Sequence, residues 1–317
     1  MSRLVNSFSY SHSRGDLFRS CPRRYWFVRY GSWGGWEREA DPETREIYRL
    51  NKLSNRYLWT GHHVHEAVRH LLEPLRVDGT LPPVERLRQE LLGVFRREFA
   101  HSRKDRSGIN PVRKGFFGLL EHEGGAFAID EADWKPAVDR ALSALEGFTK
   151  SWVIPEITGL PADHLLDRDE ELRTAFLEVD GRAVPIHLKI DLAFRSRSGE
   201  VLVLDWKTGR PGKAGDHDRQ LGLYAWYFGR DRGVSLETLR LGPVYLAFRP
   251  ERRETEPVSP DLVGSVLEET KTTIREILSL IDDPDRGVAR KEKFPVTLRP
   301  SDCRDCPFTR FCPDRPR

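Results

Sequence analysis

The apolar positions of this chain change their period near its middle. In the first half they recur every three to four residues, the spacing of helices with one buried face. Leu17, Phe18, Cys21, Tyr25 and Val28 fall on one stripe and predict a helix over residues 14–30. Residues 31–53 are polar, contain Gly34, Gly35 and Pro42, and are expected to form a long connection. Val64, Val68, Leu71 and Leu72 predict a helix over 55–73. After Pro82-Pro83, Leu87, Leu91, Val94 and Phe95 predict another over 84–99, and a further one fits 134–152.

The second half opens with period two. Val184, Ile186, Leu188, Ile190, Leu192 and Phe194 alternate with Pro185, His187, Lys189, Asp191 and Ala193, the pattern of a half-buried strand. A turn over 195–200, with Gly199, leads into 201–204, which is apolar on both faces as in a central strand. A helix over 217–228, a strand over 244–248 and a long amphipathic helix over 262–281 precede a cysteine-bearing tail. There is no internal repeat and no low-complexity linker. The pattern predicts an α/β fold in one unit over 1–317, with a mainly helical segment at 31–160, a sheet core at 165–250 and a tail at 300–317.

Composition narrows this further. With 38% hydrophobic and 32% charged residues, the 317-residue chain is expected to be soluble and globular. It has no run of 18 apolar residues, the length a membrane span needs. The start, Met1-Ser2-Arg3-Leu4-Val5-Asn6, lacks the apolar stretch of a signal peptide, so a cytoplasmic location is expected. A net charge of +3, from 52 basic and 49 acidic residues, excludes a bulk polycation. Local charge is more informative: Arg103, Lys104, Arg106, Arg113 and Lys114 form either a loop that contacts phosphates or a solvated surface loop.

The candidate chemistry lies on the strands. Residues two apart on a strand share a face about 6.6 Å apart. Asp205 and Lys207 therefore point to one side, and Leu202, Leu204 and Trp206 to the other. If 184–194 and 201–207 form an antiparallel hairpin with their apolar faces in one core, opposed residue numbers sum to an even value. One such register sets Asp191 across from Asp205, side chains about 5 Å apart. Adjacent buried carboxylates need a cation, a shared proton or an arginine. A divalent metal such as magnesium is one solution, and a surface salt-bridge cluster is the plainer alternative.

Ile190-Asp191, a short turn and then Asp205-Trp206-Lys207-Thr208-Gly209 closely resemble the core of PD-(D/E)XK nucleases, and Asp-x-Lys-Thr-Gly resembles the RecB-like branch. Gln220 and Tyr224 match that branch's Gln-x-x-x-Tyr motif, and His65, four residues after Gly61, matches its helical histidine. Residues 8–30, with Cys21-Pro22-Arg23-Arg24-Tyr25, resemble its N-terminal motif. The resemblance implies a restriction-endonuclease-like core, a small mixed sheet flanked by helices, with 31–160 as a helical insertion. It implies that Asp191, Asp205, His65 and the Trp206 carbonyl bind magnesium or manganese. Lys207 would be the catalytic lysine, and Gln220 and Tyr224 would orient the DNA strand or the site. The chain departs from the family at Leu188, where a glycine is frequent three residues before the aspartate. Without the other motifs, His65 and Tyr224 would read as structural residues.

Cys21 stands alone near the start, while Cys303, Cys306 and Cys312 cluster at the end. Four thiolates can hold zinc or an iron–sulfur cluster. The three-plus-one asymmetry is similar to the iron–sulfur branch of RecB-like nucleases, which includes the AddB nuclease domain and CRISPR-adaptation exonucleases. That likeness implies a 4Fe–4S cluster, with zinc as the alternative, clasping the tail at 300–317 to Cys21. The expected activity is metal-dependent hydrolysis of DNA, as an exonuclease in preference to an endonuclease, on single strands or DNA ends, in repair, CRISPR adaptation or phage defence. The chain carries no phosphate-loop motif, so any helicase motor would be a partner. Two other readings stay open: a non-catalytic subunit of a helicase or defence complex, and a zinc-stabilised nucleic-acid-binding module.

Overall fold

The computed structural model describes residues 4–104, 118–124, 127–169, 171–213 and 215–316. Arg106, Arg113 and Lys114 of the expected basic loop lie outside the described residues.

The predicted N-terminal helix is two helices, α1 (His12–Ser20) and α2 (Pro22–Trp26), followed by a π-helical turn at Phe27–Gly31. The break falls at Cys21, whose backbone is extended at φ −158° and ψ 108°. A residue before proline is disfavoured from helical geometry, and proline is well suited to begin the next helix. The polar stretch expected to be a connection contains α3 (Pro42–Asn51). Asp41 caps it by accepting the Thr44 N–H at 3.0 Å, and Ile47 and Leu50 are buried. Next come α4 (Arg56–Asp78), α5 (Val84–Lys104), α6 (Lys135–Thr149) and the short α7 (Val153–Ile157).

The strands are β1 (Leu165–Asp167), β2 (Arg173–Val179), β3 (Arg182–Leu188), β4 (Leu192–Arg195) and β5 (Val201–Lys207). Helix α8 (Asp218–Asp231) then crosses to β6 (Leu239–Tyr245), which runs parallel to β5. The short β7 (Glu256–Pro257), α9 (Pro260–Leu280) and α10 (Pro300–Arg304) complete the order. The main sheet runs β1-β4-β5-β6-β7 and is mixed; β2 and β3 form a separate two-stranded ribbon.

The long strand predicted over 184–194 is therefore split. Residues 184–188 belong to the ribbon and 192–194 to the main sheet, with Asp191 at the bend between them. The split also reverses the faces. Val184, Ile186, Leu188 and Ile190 enter one core with Ala193, Val201 and Val203, beneath α8 and α9. Leu192 and Phe194 enter the opposite core with Leu202, Leu204 and Trp206, beneath α4, α5 and α6. The last predicted strand is shifted: β6 ends at Tyr245, and a turn occupies 246–248. The centre of the sheet is thus buried on both faces, and the carboxylates of β5 and the neighbouring bend are carried inside it.

Candidate active site

Leu192 pairs with Leu204, Ala193 with Val203, Phe194 with Leu202 and Arg195 with Val201. Extending this register by one residue sets Asp191 opposite Asp205. Regular pairing stops before that point, and a side-chain bond takes its place: the Trp206 N–H donates to Asp191 Oδ2 at 2.8 Å. Asp191 and Asp205 are both buried, at 6% and 5% exposure.

Helix α4 brings the third group. Its Gly61 faces Thr208 so closely that an added Cβ would lie 3.3 Å from Thr208 Oγ1. One turn later, His65 Nδ1 stands 3.2 Å from Asp191 Oδ1. Lys207 Nζ lies 2.6 Å from Asp205 Oδ2 as an ion pair, without the alignment of a hydrogen bond. Helix α8 closes the site. Lys207 Nζ donates to Gln220 Oε1 at 3.2 Å, and Gln220 Nε2 donates to Asp205 Oδ1 at 2.7 Å and to the Tyr224 hydroxyl at 2.9 Å. Tyr224 donates in turn to the Lys189 carbonyl at 2.5 Å. Thus Asp205, Lys207, Gln220 and Tyr224 form one connected network, and the Asp191–His65 pair lies beside it, tied to the Trp206 N–H next to Asp205. The Trp206 side chain lies apart from it, packed edge-on to Phe148 at 5.8 Å.

Electrostatics follow from burial and proximity. Burial, reinforced by the Asp191 charge, raises the Asp205 carboxyl above the usual carboxylate range, and Lys207 offsets only part of this. Burial alone would lower His65. Asp191 outweighs it, with Asp205 and Asp169 adding to the effect, and the imidazole is held above its ordinary value. Tyr224 is pushed well up by burial and then by Asp205 and Asp191, so it remains a donor.

Sequence reasoning missed Asp169. It is 9% exposed, at a left-handed φ of 58°. Its N–H donates to the Ile190 carbonyl at 2.9 Å, and Lys189 Nζ lies 3.0 Å from its Oδ1. It thereby holds the two residues that precede Asp191. Burial, and to a smaller extent the Asp191 charge, raises its carboxyl, while Lys189 and His65 pull it down. Only the tolerance of aspartate for left-handed backbone could have singled it out within Asp167-Arg168-Asp169.

Among the described residues, no group of three or more His, Cys, Asp or Glu side chains stands as a ready cage for a metal ion. The chemistry of the residues still suits a hard divalent cation: two buried carboxylates have an imidazole beside one of them, and Asp205 Oδ2 is buried without a hydrogen bond.

Cys21, Cys303, Cys306 and Cys312 are free thiols that line one cavity of about 20 Å³. Burial raises the Cys303 and Cys312 thiols and pushes Cys306 up to about 11. The described cysteines do not form a ready metal-binding group either. What joins the chain ends here is packing and hydrogen bonding. Phe27 stacks on Phe308 at 5.1 Å, Arg23 donates to the Phe294 carbonyl at 2.7 Å, and Trp26 to the Ala289 carbonyl at 2.7 Å. Arg103 and Lys104 are exposed at the end of α5.

The mixed sheet and the bend beside β5 thus carry a pair of buried carboxylates, with a lysine on β5 and a histidine on a neighbouring helix. The chain belongs to the PD-(D/E)XK nuclease superfamily, whose family model matches residues 9–313. Membership implies nuclease activity and points to a metal-dependent enzyme. Among solved structures, one described as "Crystal structure of SSO0001" is similar at 21% identity, over 59% of this chain and 80% of that chain, with a TM-score of 0.29. No curated protein matches the chain. Among the described residues, no helix is long and apolar enough to cross a membrane.

Proposed function

We propose that this protein is a magnesium- or manganese-dependent deoxyribonuclease of the RecB-like type, acting as an exonuclease on single-stranded DNA or DNA ends. The observation that carries this reading is the buried network in which Gln220 ties Lys207, Asp205 and Tyr224 together beside the Asp191–His65 pair. Asp191, Asp205, His65 and the Trp206 carbonyl would hold the ion. When bound, it polarises a phosphate and makes water a better nucleophile near neutral pH.

The chain's own residues have distinct tasks. Lys207 places a positive charge beside the position where charge develops on the phosphate. Gln220 holds that ammonium and Asp205 in fixed relation through opposite ends of one amide. Tyr224 anchors the amide to the backbone just before Asp191. Arg103 and Lys104, with Arg106, Arg113 and Lys114, supply backbone contacts to the strand. The four cysteines hold a 4Fe–4S cluster at the joined chain ends. Their convergence on one cavity supports this reading, and zinc is the other metal that such thiols would take. Repair, CRISPR adaptation or phage defence, beside a helicase or other subunit, is the setting this reading suggests.

The test is cleavage of single-stranded, duplex and end-blocked DNA by anaerobically purified protein with magnesium or manganese. Wild type is expected to degrade strands with free ends, and Asp205→Asn to lose at least about a thousandfold in rate, the scale on which enzymes depend on electrostatic groups at the reacting centre. Intact DNA in every lane, or an Asp205→Asn protein as active as wild type, would sink the proposal.

A further inference from the structure

A second cavity, of about 330 Å³, is lined in part by Gln220 and Tyr224. Its other walls are Ser11, Ser13 and Arg14 at the start of α1, His187 on β3, Lys189 at the bend, and Leu172. Among the described residues, no carboxylate lines it. Two further side chains that line it already have acidic partners: His12 lies 2.9 Å from Asp16 and Lys189 3.0 Å from Asp169.

Arg14 differs. Its guanidinium donates to the Ser9 carbonyl and to Ser9 Oγ, and no acidic group of the described residues acts on it. Its charged neighbour is another guanidinium, Arg29, which donates to Asn6 Oδ1. Burial, and then Arg29, lower Arg14 to about 10, so it stays charged at neutral pH. Burial, and then Arg14 and Arg29, lower His187 and keep it neutral. A half-buried charge without a counter-charge is costly unless a ligand supplies one. Here the uncompensated cation borders a hydroxyl-lined cavity that also includes Gln220 and Tyr224 of the candidate site.

We propose that this cavity is an anion subsite in which Arg14, helped by the Ser11 and Ser13 hydroxyls, takes a phosphate of the nucleic-acid strand flanking the one that is cut. The identity of the ligand rests on the nuclease reading; the anion preference rests on the cavity itself. The phosphate is either an internal diester or the strand's terminal monoester.

The test is binding of a fluorescent homothymidine strand by the full chain in which Asp205→Asn blocks turnover, followed by anisotropy over a range of salt. Leu172 is 60% exposed at the cavity, so Leu172→Glu adds a carboxylate without disturbing a core, and Leu172→Gln controls for shape. Leu172→Glu is expected to weaken binding about tenfold or more relative to Leu172→Gln, the effect of losing one charged hydrogen bond. Arg14→Gln is expected to lower the slope of log affinity against log salt by about 0.7, the contribution of one single-strand phosphate. A strand with neutral methylphosphonate at one position should bind wild-type Arg14 less well and Arg14→Gln no differently. Sensitivity in the interior of a circular strand assigns a diester, and sensitivity to a removed end phosphate assigns a terminal monoester. If Leu172→Glu binds like Leu172→Gln and no position couples to Arg14, the subsite does not exist. Binding coupled in this way without any cleavage by wild type would instead remove the nuclease reading and leave the subsite standing.

Discussion

Asp169 shows how a single residue can hold the candidate site in place without belonging to its motif. Left-handed backbone is costly for side chains other than glycine, asparagine and aspartate, and it persists where surrounding contacts over-determine it. Asp169 meets this condition by binding Lys189 through its carboxylate and Ile190 through its N–H. Asp169→Asn keeps the backbone preference and removes the charge. Steady-state kinetics should show kcat reduced about 10- to 100-fold, or the magnesium requirement raised by that factor, as for other groups that orient metal ligands. Its melting temperature should stay close to that of wild type, and unchanged kinetics would show that Asp169 is only a structural residue. Asp191, Asp205 and Lys207 were legible from strand spacing, and His65, Gln220 and Tyr224 through the motifs of the family that the chain resembles. Asp169 has neither: it stands in a run of acids, and only its φ and its contacts distinguish it.

At the scale of elements, what the sequence misled on was continuity. The apolar stripe of residues 14–30 runs through Cys21 although Cys21-Pro22 is a chemical stop, and the alternation of 184–194 runs through a bend. Both patterns report burial, and burial continues where hydrogen bonding does not. The cap that begins α3 at Asp41-Pro42 was present in the sequence but outweighed by the polarity of its surroundings. Two predictions belong here. A Cβ at Gly147 on α6 would lie 1.8 Å from the Leu246 carbonyl oxygen, a backbone atom that cannot rotate away. Gly147→Ala is therefore expected to destabilise the fold by about 1–3 kcal/mol in urea unfolding, as overpacking does.

The second concerns α1, which Asp16 and Arg19 dock near α9 through an Arg19–Glu269 approach of 3.8 Å. Burial alone would raise the Asp16 carboxyl, but His12 and Arg19 outweigh it and hold it at about 2, against an ordinary 3.8. A depressed folded-state value means that the stabilisation is full above the ordinary value and fades as pH falls from 3.8 towards 2. Asp16→Asn should accordingly lower the melting temperature at pH 7, and the gap from wild type should close across that acid window. A gap that persists below it would assign the loss to packing.

For the whole molecule, the union of the two chain ends is the feature with the widest consequence. Phe27, Ile47, Leu50, Phe308 and Cys312 share one apolar cluster, so the N-terminal helices, α3 and the tail are packed together whatever the cysteines bind. Phe27→Ala should cost about 3–5 kcal/mol, the usual effect of emptying a buried aromatic site, measured by denaturant unfolding. Anaerobically purified protein is expected to contain iron and acid-labile sulfide, lost together in Cys306→Ser. A colourless preparation carrying zinc would replace the cluster with the other metal.

The amino-acid order by itself determined the α/β class and the parity of the β4–β5 pairing, and its likeness to a known family singled out the candidate site residues. The first two are local or pairwise properties: period sets which face is buried, and parity sets which residues can oppose each other. Tertiary structure decided the rest. It ended β3 three residues before Asp191, turned the alternating run from one core to the other, set His65 against Asp191 and Gln220 against Asp205 from remote helices, and left Arg14 facing a cavity with no acid among its described lining residues. Such outcomes depend on which distant surfaces share a core, and no spacing along the chain encodes the position of an element that has yet to pack.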